Sequence, residues 1–166
     1  MPREHDAPFR VGIGYDSHRF SRGRPLILGG VHLPSDIGLQ GHSDADAVCH
    51  AITDAILGAA GIGDIGEMFP DADPANKNRD SIGMLEAAVR RISGSGYSVN
   101  QVDVTVVAEA PRIGPYREQM RSRLATALGI DSTSVSVKGK SNEGMGWIGR
   151  GEGLACIAVA TLKWNR

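Results

Sequence analysis

Aromatic side chains and cysteines are scarce in this chain of 166 residues. Only 5% of the residues are aromatic, and the two cysteines, Cys49 and Cys156, lie in apolar segments rather than in a spaced framework. This pattern excludes a small secreted module held together by disulfides, and it favours a cytoplasmic protein in which both cysteines are core residues. A chain of this length can bury a core without a metal, so a bound metal would serve function.

Long apolar runs and an excess of charge of one sign are also absent. No stretch is long enough to cross a bilayer, so we predict no membrane partner. The formal net charge is -1 with interspersed signs, which argues against nucleic acid as a partner. The polar residues 1–8 have no signal-peptide core and are predicted to form a flexible leader before a single domain at 9–166.

Glycine, by contrast, is abundant, with 22 residues that often separate periodic segments. Alternating or continuous apolar residues predict strands at 9–15, 102–106, 135–138 and 154–162, and a hairpin at 25–33. Helical spacing predicts helices from an N-cap at Ser43 to about Gly61, at 81–93 and at 115–128, with an irregular loop at 61–78. This order predicts an α/β (α+β) domain with helices on one face of a mixed sheet of about four or five strands.

The segment around Asp16 and His18 is a candidate metal site. Residues two apart on a strand share a face, so both side chains can hold one ion, with His50 as a third ligand from the first helix. Two imidazoles and a carboxylate suit zinc and leave a fourth position open, as in catalytic sites. Asp46 or Asp54 is predicted to orient the second ring nitrogen of His50. The alternative is an ordinary solvated strand end.

Three other polar segments are candidate ligand sites. Carboxylates at 64–73 can hold sugar hydroxyls, although a series of Asp/Gly turns is the alternative interpretation. The segment 138–143 ends a strand with cations, a hydroxyl and a carboxylate, a set able to bind phosphate and magnesium. His42 and Ser43 precede the first helix, where backbone amides also form an anion site.

Five separated motifs are similar to those of the 2-C-methyl-D-erythritol 2,4-cyclodiphosphate synthase family of the non-mevalonate isoprenoid pathway. The motifs are Gly14-Tyr15-Asp16-Ser17-His18; Gly41-His42-Ser43-Asp44-Ala45-Asp46 with His50; Gly63-Asp64-Ile65-Gly66 through Phe69-Pro70-Asp71-Ala72-Asp73-Pro74; Ala108-Glu109-Ala110-Pro111-Arg112; and Gly149-Arg150-Gly151-Glu152-Gly153. The resemblance covers the chain from about residue 9 to the C-terminus.

The resemblance implies a phosphorus–oxygen lyase that converts 4-diphosphocytidyl-2-C-methyl-D-erythritol 2-phosphate to the 2,4-cyclodiphosphate and CMP. The 2-phosphate attacks the β-phosphorus, so the transfer is intramolecular and needs no protein nucleophile. The implied zinc ligands are Asp16, His18 and His50, and Glu143 would help hold magnesium or manganese. The implied catalytic residues, His42 and Ser141, stabilise the transition state.

The resemblance also implies the substrate contacts and the assembly. The substrate would contact Asp16, His18, His42, Ser43, Asp64, Ile65, Gly66, Phe69, Pro70, Asp71, Ala72, Asp73, Ala108, Glu109, Ala110, Pro111, Arg112, Ile113, Gly114, Lys140, Ser141, Asn142, Glu143, Trp147 and Arg150. Family members are homotrimers with active sites between subunits, and the Trp147 and Arg150 positions lie near the threefold axis. Residues 140–142 stand where many members carry threonines, and Trp147 replaces a common phenylalanine.

Two alternative functions remain open from the residues themselves. A zinc-dependent phosphohydrolase would use the same ligands but attack with water and release a linear phosphate. A non-catalytic trimeric protein that binds isoprenoid diphosphates would need neither metal. The product of the reaction distinguishes these hypotheses.

Overall fold

The computed structural model describes residues 9–165, so the predicted leader at 1–8 lies outside the described residues. The strands are β1 (Phe9–Arg22), β2 (Leu26–Leu28), β3 (Val31–Leu33), β4 (Ile37–Leu39), β5 (Tyr97–Val107), β6 (Val135–Lys140) and β7 (Gly153–Trp164). The helices are α1 (Ala47–Ala60), α2 (Ile65–Met68), α3 (Ser81–Gly94), α4 (Arg117–Leu128) and α5 (Gly146–Gly149). No helix within 9–165 is long and apolar enough to cross a membrane.

Five strands form one mixed sheet in the order β4-β1-β7-β5-β6. The long strand β7 pairs antiparallel with both β1 and β5, whereas β5 and β6 run parallel. The predicted mixed sheet of four or five strands is therefore confirmed. The predicted hairpin is also present, because β2 and β3 pair with each other across Gly29-Gly30, and both glycines have positive φ.

Helix α1 packs directly on β1 and β7, and two glycines of β1 make this close approach possible. An added Cβ at Gly12 would lie 2.1 Å from the carbonyl oxygen of Ala55, and one at Gly14 would lie 1.8 Å from that of Ala51. No side chain fits in so little space, so glycine at these two positions lets the helix backbone contact the strand backbone.

The core lies between the sheet and the helices α1, α3 and α4. Val102, Val104 and Val106 of β5 point into it and are fully buried, as their alternation with polar residues predicts. The alternate residues of β1 point the other way: Val11 is 68% and Ile13 is 70% exposed. The helices thus cover one face of the sheet, and an apolar band remains on the other face in the single chain.

Several predicted boundaries differ from the structure. The strand predicted at 9–15 continues to Arg22, because its ladder with β7 includes Asp16 opposite Cys156 and His18 opposite Leu154. The prediction of Ser43 as the helix N-cap is wrong: the cap is Asp46, whose carboxylate accepts a hydrogen bond from the amide of Cys49. The loop predicted at 61–78 contains α2 and a 3-10 turn at Pro74–Asn76, two elements too short to show a period.

Candidate active site

Three predicted metal ligands converge where the middle of β1 meets the first turn of α1. The Nε2 atom of His18 lies 2.8 Å from Oδ2 of Asp16, and Nδ1 of His50 lies 3.3 Å from the same oxygen. The two ring nitrogens are 3.4 Å apart. Within residues 9–165, one group of three or more His, Cys, Asp or Glu side chains has its potential ligand atoms close enough together to hold a metal ion. That group is Asp16, His18 and His50.

The donor set fits a divalent cation. Oδ2 of Asp16 is buried and accepts no hydrogen bond of acceptable geometry, although two imidazole nitrogens lie close to it. A cation bound between the three groups would supply the partner that this oxygen lacks. One carboxylate oxygen and two imidazole nitrogens are a common ligand set for zinc and similar metals.

The close approach of α1 to β1 brings the third ligand into place. Gly14 contacts the backbone of Ala51, which directly follows His50, and Asp16 lies two residues farther along the same face of the strand. The strand therefore presents Asp16 and His18 at the point where the helix presents His50. This arrangement confirms that the three residues lie together, and it depends on a contact between segments more than 30 residues apart in sequence.

The local electrostatics favour a charged carboxylate. Burial raises the pKa of Asp16, but the contacts and charges of His18 and His50 lower it more, so the pKa lies below its usual value. Burial lowers the pKa of His18, yet the contact with Asp16 and the carbonyl of Gln40 raise it overall. Nδ1 of His18 is 2.7 Å from that carbonyl oxygen. Donation from Nδ1 to the carbonyl leaves Nε2 directed at the metal site.

The surroundings of the second ring nitrogen of His50 differ from the prediction. Its Nε2 atom lies 2.9 Å from Oγ of Ser81 and 3.1 Å from Oγ of Ser43. Asp46 instead accepts hydrogen bonds from the amides of Gly29, Gly30 and Cys49. The prediction that Asp46 or Asp54 orients His50 is therefore wrong, because Asp46 points into the core.

Asp54 is also engaged elsewhere. Its Oδ1 atom accepts a hydrogen bond from the amide of Ile65 at 2.7 Å, and burial raises the pKa of this carboxyl group. The helical spacing by itself predicts that Asp54 lies beside His50. The rotation of α1 on the sheet turns Asp54 towards α2 instead, where it helps to position the start of that short helix.

A cavity of about 760 Å³ opens from the three predicted metal ligands. Besides those ligands, its lining includes Gln40, Gly41, His42, Ser43, Ile65, Gly66, Phe69, Pro70, Asp71, Ala72, Asn76 and Met84. The structure thus brings the first and second motifs together with part of the third motif, which follows α1. Asp64 and Asp73 do not line this cavity; their carboxylates cap α2 and the following 3-10 turn.

Two arginines that the sequence analysis did not single out hold the cavity wall. The guanidinium of Arg24 donates to the carbonyl oxygens of Gly41 and Ser43. The guanidinium of Arg79 lies over the ring of Phe69, 4.6 Å from its centre, and donates to Asn76. Neither arginine belongs to a periodic pattern, so only the folded chain shows their role.

The fourth motif and the end of β6 form a second, separate cavity of about 310 Å³. Its lining residues are Ala108, Glu109, Pro111, Arg112, Ile113, Gly114, Arg117, Gly139, Lys140 and Ser141. The carboxylate of Glu109 accepts hydrogen bonds from the amides of Asn142 and Gly144, which ties the two segments together. Ala110, Asn142 and Glu143 lie next to this cavity in sequence but do not line it. It shares no lining residue with the cavity at the metal ligands.

Comparison with known proteins agrees with this geometry. The model of the YgbB family matches residues 9–163. The chain belongs to the YgbB family. It is 65% identical over 153 residues to the 2-C-methyl-D-erythritol 2,4-cyclodiphosphate synthase of Gemmatimonas aurantiaca, and the match covers 92% of each protein. The family resemblance carried by the five motifs is confirmed.

Solved structures show the same fold. IspF of Plasmodium falciparum, in a CDP complex, superposes with a TM-score of 0.83 at 34% identity, covering 97% of this chain and 100% of that one. The bifunctional IspDF of Campylobacter jejuni superposes with a TM-score of 0.91 at 40% identity, covering 94% of this chain but only 42% of that protein. The YgbB fold thus occurs both alone and joined to a further domain.

The last motif of this YgbB chain begins at the final residue of α5 and leads into β7. Trp147 is 37% exposed and lines a small cavity of about 210 Å³ with Ser17, His18, Arg19 and Glu152. Arg150 donates from Nε to Oε1 of Glu152 at 2.7 Å, and this contact lowers the pKa of the exposed Glu152. In the single chain, both predicted contact residues lie on the surface, and neither lines the larger cavity at Asp16, His18 and His50. His18 lines both that cavity and the small one that contains Trp147.

Proposed function

We propose that this chain converts 4-diphosphocytidyl-2-C-methyl-D-erythritol 2-phosphate to 2-C-methyl-D-erythritol 2,4-cyclodiphosphate and CMP. The observation that carries the proposal is the cluster of Asp16, His18 and His50 at the base of a large cavity, in a chain closely similar to a named synthase. The prediction of a cyclising enzyme of this pathway is confirmed by the names of such relatives.

The reaction is an internal phosphoryl transfer. An oxygen of the substrate's 2-phosphate forms a bond to the β-phosphorus of the diphosphate, and the bond from that phosphorus to the oxygen of CMP breaks. No water is consumed. The protein therefore has to position two ends of one substrate and neutralise charge as it shifts between oxygens.

Asp16, His18 and His50 would hold one divalent cation, which we propose to be zinc. Such an ion acts as a Lewis acid on a phosphate oxygen when it is bound. Glu143 would help to hold a second cation, magnesium or manganese, beside the hydroxyl of Ser141, which donates to its carboxylate at 3.2 Å. The side chain of Glu143 is exposed and open to a ligand.

The residues of the large cavity would receive the methylerythritol and phosphate groups. His42 is exposed at the cavity wall, and we propose that it stabilises the transition state together with Ser141. The segment from Ile65 to Ala72 offers both apolar and polar surface to the sugar-like part. We propose that the cavity at 108–114 receives the cytidine, in keeping with the CDP complex of the related IspF.

We further propose that the active chain is a homotrimer. The two cavities share no residue in one chain, so one cavity of a chain would join the other cavity of its neighbour to receive a single substrate. The exposed apolar side chains of β1 and β7 support burial of the outer sheet face in such an assembly. Trp147 and Arg150 would then lie near the threefold axis.

The experiment that tests the function is incubation of the purified protein with the CDP-linked substrate, Zn²⁺ and Mg²⁺, followed by phosphorus NMR. We expect a cyclic diphosphate and one CMP per substrate consumed. A linear phosphate that contains solvent ¹⁸O would instead indicate a phosphohydrolase. Tight binding without turnover in the presence of both metals would indicate a binding protein.

A further inference from the structure

The side chains of His50, Ser81 and Asp44 form a series of hydrogen-bonded groups that leads away from the predicted metal site to a half-buried carboxylate. Nε2 of His50 lies 2.9 Å from Oγ of Ser81, and the hydroxyl of Ser81 donates a short hydrogen bond to Oδ1 of Asp44. Ser81 is fully buried, so water does not compete for its hydroxyl group. Neither Ser81 nor Asp44 was among the predicted site residues.

The direction of these hydrogen bonds follows from the number of protons. A serine hydroxyl has one proton, and here that proton goes to the carboxylate of Asp44. Oγ of Ser81 can then only accept from the imidazole, so Nε2 of His50 carries the hydrogen. The lone pair of the neutral ring is left on Nδ1, the atom that faces Asp16 and His18.

Asp44 is itself held firmly. Its Oδ2 atom accepts from the amide of Ser81 at 3.0 Å, and its Oδ1 atom accepts from the amide of Asp46 at 3.1 Å. The backbone also joins the two segments, because the amide of Asp44 donates to the carbonyl of Arg79 and that of Asn78 donates to the carbonyl of His42. The carboxylate therefore cannot readily turn away from Ser81.

We infer that Asp44 and Ser81 are positioning residues that select the metal-binding tautomer of His50 and strengthen its donation from Nδ1. This inference rests on the metal role proposed above. A carboxylate at the far end of a hydrogen-bonded imidazole raises the basicity of the ligating nitrogen, and the loss of such a partner typically costs about 10- to 100-fold in metal affinity or activity.

Ser43 does not provide the same selection. Its Oγ atom is 3.1 Å from Nε2 of His50, but it accepts a hydrogen bond from the amide of Ala45 and has no carboxylate behind it. Its own proton is free to donate to Nε2, which would favour the other tautomer. Asp44 therefore acts through Ser81 to decide which ring nitrogen carries the hydrogen.

The test uses the isosteric change Asp44→Asn in the full chain. The amide NH₂ of the new asparagine can donate to Oγ of Ser81, and the Ser81 hydroxyl would then donate to Nε2 of His50. A similar replacement of the carboxylate behind a catalytic imidazole stabilises the wrong tautomer of that histidine. We expect the affinity for Zn²⁺, measured by titration calorimetry on metal-free protein, to fall by about 10- to 100-fold.

Asp80→Asn is the matched control, because Asp80 is exposed, adjacent to Ser81 and only caps α3. Its Zn²⁺ affinity should stay within about twofold of the unaltered chain.

A second pair of variants guards against misfolding of the first. Ser81→Ala removes the hydroxyl group that joins His50 to Asp44. Thr53→Val, the control, removes a fully buried hydroxyl of α1 that has no hydrogen-bond partner. Only Ser81→Ala should weaken Zn²⁺ binding, and circular dichroism checks that each variant is folded. If Asp44→Asn or a folded Ser81→Ala variant binds zinc as tightly as its control, the inference is overturned.

Nitrogen NMR of the imidazole side chains supplies a readout that does not depend on metal or substrate. His50 in the metal-free chain should carry its hydrogen on Nε2, and Asp44→Asn should move it towards Nδ1. The same tautomer in both proteins would contradict the inference. Because neither measurement uses the substrate, a failure to form the cyclic product would overturn the proposed function and leave these results intact.

Discussion

Asp46 shows how much one buried carboxylate contributes to this fold. Its two oxygens accept from the amides of Gly29, Gly30 and Cys49, and burial raises the pKa of the group. Asp46→Asn would turn an NH₂ group towards at least one of these donors and leave it unsatisfied. We expect a loss of about 2 kcal/mol in the free energy of unfolding, measured by urea denaturation.

The control is Asp80→Asn, at an exposed helix cap, which should change the free energy of unfolding by less than about 0.5 kcal/mol. Equal losses in both variants would show that the buried contacts of Asp46 do not matter.

His50 is the residue at which function and stability should separate. His50→Ala removes one of the three proposed metal ligands. Mutation of a residue that only hydrogen-bonds to a ligand costs up to about 100-fold, so we expect turnover to fall by more than that. The fold should persist, because the core between sheet and helices forms from apolar contacts that do not involve the ion. CMP release and circular dichroism measure the two effects.

The control for this variant is His32→Ala, which removes an exposed histidine of β3. It should retain both turnover and zinc. Unfolding or aggregation of His50→Ala would contradict the separation of function from stability and would mean that the ligand cluster also supports the fold.

At the scale of elements, the contact between β1 and α1 decides whether the ligands meet. Gly14→Ala would place a Cβ 1.8 Å from the carbonyl oxygen of Ala51 and push the helix away from the strand. We expect a loss of about 3 kcal/mol in stability, at the upper end of the cost of overpacking, together with weaker zinc binding. Urea denaturation and titration calorimetry measure these two quantities.

The same helix offers the opposite change as a control. Gly58 lies on the exposed side of α1, and an added Cβ would meet no atom within 4 Å. Gly58→Ala should stabilise the chain by about 0.5 to 1 kcal/mol, because alanine favours a helix over glycine. If Gly14→Ala were as well tolerated as Gly58→Ala, the close approach of helix and strand would not be what positions His50.

At the scale of the whole molecule, the outer face of the sheet should be the interface of the proposed trimer. Ile13→Glu places a charge in the apolar band of β1, where the side chain is 70% exposed in the single chain. A charge without a partner is costly to bury, so we expect the variant to run as a monomer by light scattering and to lose turnover. Gln119→Glu makes the same change of charge on the exposed surface of α4 and should leave the trimer intact. A trimeric Ile13→Glu protein would place the interface elsewhere.

The fold shields both cysteines from solvent. Cys49 and Cys156 are free, fully buried core residues, as the sequence analysis predicts, and burial raises the pKa of both thiols well above the usual value. Such thiols are poor nucleophiles and should react with a thiol reagent only after unfolding. A cytoplasmic location stays a prediction.

Local patterns in the sequence were sufficient to predict the class of the fold and to single out Asp16, His18 and His50 as candidate metal ligands. Alternating apolar residues predicted β5 and apolar residues at helical spacing predicted α3, while two short apolar runs around Gly29-Gly30 predicted the hairpin of β2 and β3. Each of these patterns depends only on which face of a single element is buried. Asp16 and His18 could be paired from the sequence because two residues on one strand share a face wherever the strand lies.

The surroundings of these three candidate ligands depend on how distant segments pack together. Whether Asp44, Asp46 or Asp54 serves His50 depends on how α1 is rotated on the sheet and on the approach of residues 78–81, which are distant in sequence. The partner Ser81 looks like an ordinary helix start until the fold buries it. Spacing along the chain determines the faces of single elements, whereas contacts between elements depend on packing, and packing is the part that a local pattern does not contain.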